Sequence, residues 1–170
     1  MPVFLNGLPV HVLVVHAVVV LVPLAVLATV TVAVWPAARR RYGWLAVAVT
    51  AAATASVPVA TSSGEGLEHR LVPTELIRQH THLGDQLLVF VAGLLVAGTA
   101  LVWLDRRSRR EGSGATSRLA MKSIVAALAV ATIVLAAVSA VQVVRIGDSG
   151  ARAAWAQTHY AAPQPEKADD

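Results

Sequence analysis

Residues Ile124 to Val144 read IVAALAVATIVLAAVSAVQVV. The run carries no charge. At about 1.5 Å of rise per residue it is long enough, as a helix, to cross about 30 Å of hydrocarbon. Three more runs of this kind precede it: Leu8 to Val34, interrupted by His11, His16 and Pro23; Trp44 to Ala60; and Leu87 to Leu104. The fold expected is all-α, a transmembrane bundle of four antiparallel helices at about 8–35, 44–61, 83–104 and 119–145. One domain, 1–160, holds all four, and 161–170, with its prolines and charges, reads as a disordered tail. Pro23 is expected to kink the first helix, as neighbours in a membrane bundle permit.

Composition agrees. The chain has 170 residues, of which 56% are apolar and only 14% charged; soluble domains are nearer a quarter charged. There is no cysteine, which excludes disulfides, thiolate metal sites and cysteine-ligated iron–sulfur clusters. The first run is read as a retained helix, because no Lys or Arg precedes it and it is too long for a cleaved signal.

Basic residues set the expected orientation. Arg39, Arg40 and Arg41 follow the first run. Arg106, Arg107, Arg109, Arg110, Arg118 and Lys122 follow the third, around a flexible Glu111-Gly112-Ser113-Gly114 linker. The second connection mixes Arg70 and Arg78 with Glu65, Glu68, Glu75 and Asp85. The arginine-rich connections are therefore expected in the cytoplasm, with both termini outside and Trp35, Trp44 and Trp103 at the inner boundary. The high pI, about 10.3, follows from this topology and does not point to nucleic acid. No internal repeat is legible: the two helical hairpins have similar lengths, but their polar residues do not correspond.

On this topology all six histidines fall toward one face: His11, His16, His69, His80, His82 and His159. Imidazole binds metal or haem and moves protons. His16 lies about two turns inside the first helix and is either a ligand or relay, or a histidine satisfied by a neighbouring helix. His16 and His82 are the leading candidates to ligate a b-type haem. His16, His80, His82, Asp85 and Glu68 are candidates for a divalent metal ion. His80 and His82 read equally as solvated loop residues, and Glu68 and Asp85 as partners of Arg70 or Arg78. His82 and Asp85 share a helical face, so the carboxylate can orient the ring. His11, Gln86, Ser139, Gln142, Arg145 and Asp148 complete the polar layer, with His11 in the headgroup region. His11 and His16, five apart, stand about 140° round a helix and should not chelate one ion. No serine–histidine or zinc-protease spacing is present, and no polar path crosses the inner half. Hydrolysis and solute transport are therefore disfavoured, and the chain is not expected to be an enzyme by itself. The alternative to a cofactor protein is an accessory subunit, with a redox or membrane-complex partner docking on the outer layer.

Short elements along the chain resemble the domain-of-unknown-function family numbered 2231. They are Gly7-Leu8-Pro9-Val10-His11 with Val15-His16, Ser63-Gly64-Glu65-Gly66-Leu67-Glu68, His80-Thr81-His82-Leu83-Gly84-Asp85, and Gly147-Asp148-Ser149-Gly150-Ala151-Arg152 with Trp155. Asp148 stands where the closing element of that family has a histidine. The resemblance implies a four-helix protein of the bacterial inner membrane, of actinobacterial type. Relatives joined to Rieske-type domains hint at electron transfer.

Overall fold

The computed structural model describes residues 3–110 and 115–156, with side chains in the second segment described from residue 119. A short antiparallel hairpin, β1 (Phe4–Leu5) and β2 (Leu8–Pro9), precedes four helices. These are α1 (Val10–Val34), α2 (Pro36–Glu68), α3 (Glu75–Arg110) and α4 (Ala115–Trp155). All four are long and apolar enough to cross a membrane. The hairpin was not anticipated. Asn6 and Gly7 both adopt positive φ, the geometry of a tight two-residue turn, and Pro9 then caps α1.

The helix ends differ from those expected. Trp35 is extended and Pro36 opens α2 directly, because a residue before proline is driven out of the helical region and proline suits the first helical position. The three arginines after the first run therefore lie within α2, not in a loop. α1 runs uninterrupted through Pro23. α2, α3 and α4 reach 33, 36 and 41 residues, well beyond the about 20 that a bilayer needs. The surplus of α2, α3 and α4 forms helical extensions, and these build the polar end of the molecule. The 111–114 linker, His159 and the 161–170 tail lie outside the described residues.

α1 packs on α2 and α4, and α3 packs on the same two, so α1 and α3 sit diagonally across a four-helix square. The core holds Val18, Val22, Ala25, Ala53, Val57, Leu87 and Val91. Small residues bring the helices close, as membrane bundles require. The tightest such contact is at Gly43. A Cβ there would lie 2.9 Å and 3.0 Å from the two methyls of Val102, which is fully buried. Gly43→Ala is expected to cost about 1–3 kcal/mol, with Val102→Ala in the same chain recovering part of it. Thermal unfolding in detergent measures both.

The two hairpins repeat one another, contrary to the reading of the sequence. Every buried position of α1 has a buried counterpart in α3 at one constant offset: Val18 with Leu87, Val22 with Val91, Ala25 with Leu94, Thr29 with Gly98, Val32 with Leu101 and Ala33 with Val102. A second constant offset relates α2 to α4, pairing Ala46 with Thr132, Thr50 with Ala136, Ala53 with Ser139 and Ser63 with Ser149, all buried. The bundle thus has an approximate twofold axis along its length.

Candidate functional site

The repeat carries chemistry at the end where α1 and α3 begin and α2 and α4 finish. The α1-to-α3 offset that matches the cores also matches His11 to His80. The α2-to-α4 offset matches Ser63-Gly64 to Ser149-Gly150. Each half therefore supplies a histidine from the first turns of one helix and a Ser-Gly pair from the last turns of the next.

A histidine–serine contact recurs in both halves. His11 Nδ1 lies 3.0 Å from the Ala60 carbonyl and 3.3 Å from Ser63 Oγ. His80 Nδ1 lies 3.0 Å from Ser149 Oγ. Both serines donate their own proton back along the helix, Ser63 to Ala60 and Ser149 to Ile146. The hydroxyl oxygens are then acceptors, so both imidazoles carry hydrogen on Nδ1. In the neutral ring that leaves the lone pair on Nε2. The glycines make room: a Cβ on Gly64 would stand 3.1 Å from His11 Cε1, and one on Gly150 would stand 2.9 Å from His80 Cε1.

Although α1 and α3 are diagonal, the two rings meet near the axis. Their centroids are 6.4 Å apart and their planes cross at 79°. Both line a cleft of about 620 Å³, within the usual range for ligand sites. Its walls are mostly apolar, from Val15, Val18, Val57, Ala60, Leu87, Val143 and Ile146, with Glu65, Glu68 and Asp85 also contributing.

The candidates named from sequence separate clearly. His16 and His82 do not line this cleft, and both are exposed. His16 Nδ1 bonds the Val12 carbonyl of its own helix. His82 Nε2 lies 3.2 Å from Gln86 Nε2, so Gln86, not Asp85, is its partner. The pair expected to ligate haem is thus not assembled. The physical reason is helical phase: His11 precedes Val18 by seven residues, two turns, and shares its buried face, whereas His16 is about 140° away. His80 precedes Leu87 by the same interval, and His82 turns outward. Nor does the expected metal set of His16, His80, His82, Asp85 and Glu68 come together: among the described residues no three His, Asp or Glu side chains form a metal-ligand group. His11, expected in the headgroup region, is instead a core member of the site.

The remaining polar residues support the bundle. Gln142 is buried and donates to Gln86 Oε1 at 3.0 Å. Ser139 is buried and bonds back to Leu135. Arg145 is exposed, and Asp148 pairs with Arg152 at 3.0 Å on the surface. Arg78 pairs with Glu75 at 2.9 Å, and Arg70 lies over the Phe4 ring at 5.7 Å.

Gly150→Ala tests this geometry. The atom a new methyl meets is at the tip of His80, which can swing, so thermal stability should change little. The swing would break the Ser149 contact. Loss of that bond, seen as a changed His80 ring resonance in NMR with unfolding nearly unmoved, is the expected result.

A family model described as "Predicted membrane protein (DUF2231)" matches residues 7–163, and the chain belongs to that family. No curated protein and no solved structure matches the chain.

Proposed function

We propose that this DUF2231 protein is a membrane electron-transfer module that holds one b-type haem between His11 and His80. The observation that carries the reading is the spacing of the two anchored rings. Metal–imidazole bonds run about 2.0–2.1 Å, so two in line, with half a ring behind each nitrogen, separate the centroids by about 6 Å. The separation here is 6.4 Å. A direct hydrogen bond of about 2.9 Å between the rings would draw the centroids to about 5 Å.

The choice of group follows from ligand count. A bare zinc site takes three or four protein ligands, and here two imidazoles come together with no group of three His, Asp or Glu among the described residues. A haem brings its own four equatorial nitrogens and needs only the two axial ones. Nδ1 anchored on a serine or carbonyl fixes the ring and strengthens Nε2 as a donor to metal. An apolar cleft between facing helices is where bundles hold such cofactors. By the positive-inside rule, the arginine-rich end faces the cytoplasm of a bacterial plasma membrane and the cleft faces outward. Its electron partner would dock there.

The test is haem titration of protein purified in mild detergent, with elemental analysis alongside. One equivalent of haem and a low-spin Soret band are expected. No Soret shift on adding haemin would overturn the reading. In that case the pair would act as structural pins in an accessory subunit. Stoichiometric zinc or copper without haem would also overturn it.

A further inference from the structure

The two halves share their histidine pins but split the polarity of the cleft. Gly43 packs on Val102. Eighteen residues are five turns at 3.6 residues per turn, so α2 and α3 also face one another five turns nearer the histidines, at Thr61 and Gly84. The two offsets of the repeat carry that seam to its counterpart, where Gly147 of α4 meets Val15 of α1. All four of these residues line the cleft. The α2–α3 seam is polar, with Thr61, Glu65, Thr81 and Asp85. The same positions of the α1–α4 seam hold Gly147, Ala151, Val12 and His16.

The α1–α4 seam opens sideways to lipid. Val12 and Val19 line the cleft yet are 45% and 51% exposed, and a Cβ on Gly147 would meet nothing within 4 Å. His16 stands on the lip, exposed about two turns inside α1. Its Nδ1 bonds the Val12 carbonyl. A carbonyl only accepts, so Nδ1 carries the hydrogen, and Nε2 of the neutral ring is an acceptor. An ionisable side chain on the lipid-facing wall of a span is costly and marks function. Acyl chains offer it no donor.

We infer that the α1–α4 seam docks a membrane hydroquinone, with His16 Nε2 accepting first the hydrogen bond and then the proton of its hydroxyl. This rests on the haem reading of the cleft and names its electron donor. The occupant must dissolve in lipid, donate from a hydroxyl and fit a slot floored by Gly147 and Ala151. A hydroquinone with an apolar tail does all three. Oxidation to the quinone releases two electrons and two protons. The electrons pass singly to ferric haem, which a one-electron acceptor protein outside the membrane reoxidises between them. The protons pass through His16 Nε2 to the outer water.

The experiment uses the full chain in nanodiscs, without oxygen, and ubiquinol with a decyl tail as probe. On apoprotein with nitrogen-labelled histidine, the probe should shift the His16 Nε2 resonance and leave that of His82 in place. On haem-loaded protein it should reduce the iron, read as the ferrous absorbance band. His16→Phe should slow that reduction about a hundredfold, with the Soret band and reduction by dithionite unchanged. Gly147→Leu, which has room for its side chain, should raise the probe concentration that gives half the maximal rate. His82→Phe should match the wild type. A Soret band with a His16 signal that the probe does not move, or reduction that His16→Phe and Gly147→Leu leave untouched, overturns the site and spares the haem reading. No Soret band on adding haemin overturns the haem reading and the electron step with it; the His16 shift on apoprotein then reads the docking site by itself.

Discussion

His11→Ala and His80→Ala should each abolish the six-coordinate haem spectrum, while His16→Ala and His82→Ala leave it intact. The expected effect is all-or-none in spin state. Removing one axial imidazole leaves iron with a single protein ligand, and a low-spin band should give way to a high-spin, weakly held form or to apoprotein. Because the two halves repeat, the two cleft variants should look alike. Added imidazole should restore the six-coordinate band in either, since the methyl of alanine leaves the ring's volume vacant. The outer variants remove side chains that are exposed and bonded within their own helices. Optical titration of the four purified variants against wild type reads the outcome. It also separates the haem account from a purely structural one, in which His11 and His80 variants lose stability with no spectrum to lose.

The largest effect on stability is expected at the other end of the bundle, from Asp105→Ala. Asp105 and Arg39 are 5% and 6% exposed, with Arg39 Nε 3.6 Å from Asp105 Oδ1. Arg39 Nε and Nη1 are buried and make no hydrogen bond, so the carboxylate is the main compensation for that charge. Removing it should cost about 3–5 kcal/mol. The reverse change should be mild. Arg39→Met takes away the under-satisfied cation, and Asp105 keeps Arg109 at 3.0 Å and 3.3 Å. Replacing a strained buried charge with an apolar chain is often neutral or stabilising. The double variant should therefore be more stable than Asp105→Ala alone. Equilibrium unfolding in detergent compares the three.

The four spans were legible because hydropathy over a bilayer's length is a strong signal. Their ends were not. Thr61-Ser62-Ser63-Gly64-Glu65-Gly66 has the composition of a loop, yet it is helical because Gly64 packs on His11 and Gly66 on Val3. Tertiary contact overrides local propensity there. The histidine pair was missed for a related reason. α1 is apolar on every side, so its sequence does not say which face turns inward, and depth along the helix favoured His16. The 140° between His11 and His16 meant only one of them could face the axis; the choice needed Val18, Val22 and Ala25, whose burial only packing reveals. A signal was nonetheless present. Ser-Gly occurs near the ends of both α2 and α4, and a histidine lies in the first two turns of both α1 and α3. Aligning the hairpins on these elements, His11 with His80 and Ser63-Gly64 with Ser149-Gly150, instead of by overall polarity, exposes the repeat.

Electron paramagnetic resonance of the ferric protein, loaded with one equivalent of haem, addresses the axial pair most directly. Two imidazoles with planes crossed near 79° should give a low-spin, strongly anisotropic signal that disappears in His11→Ala and His80→Ala. A high-spin signal from the wild type, or a low-spin signal that survives both substitutions, would contradict ligation by His11 and His80.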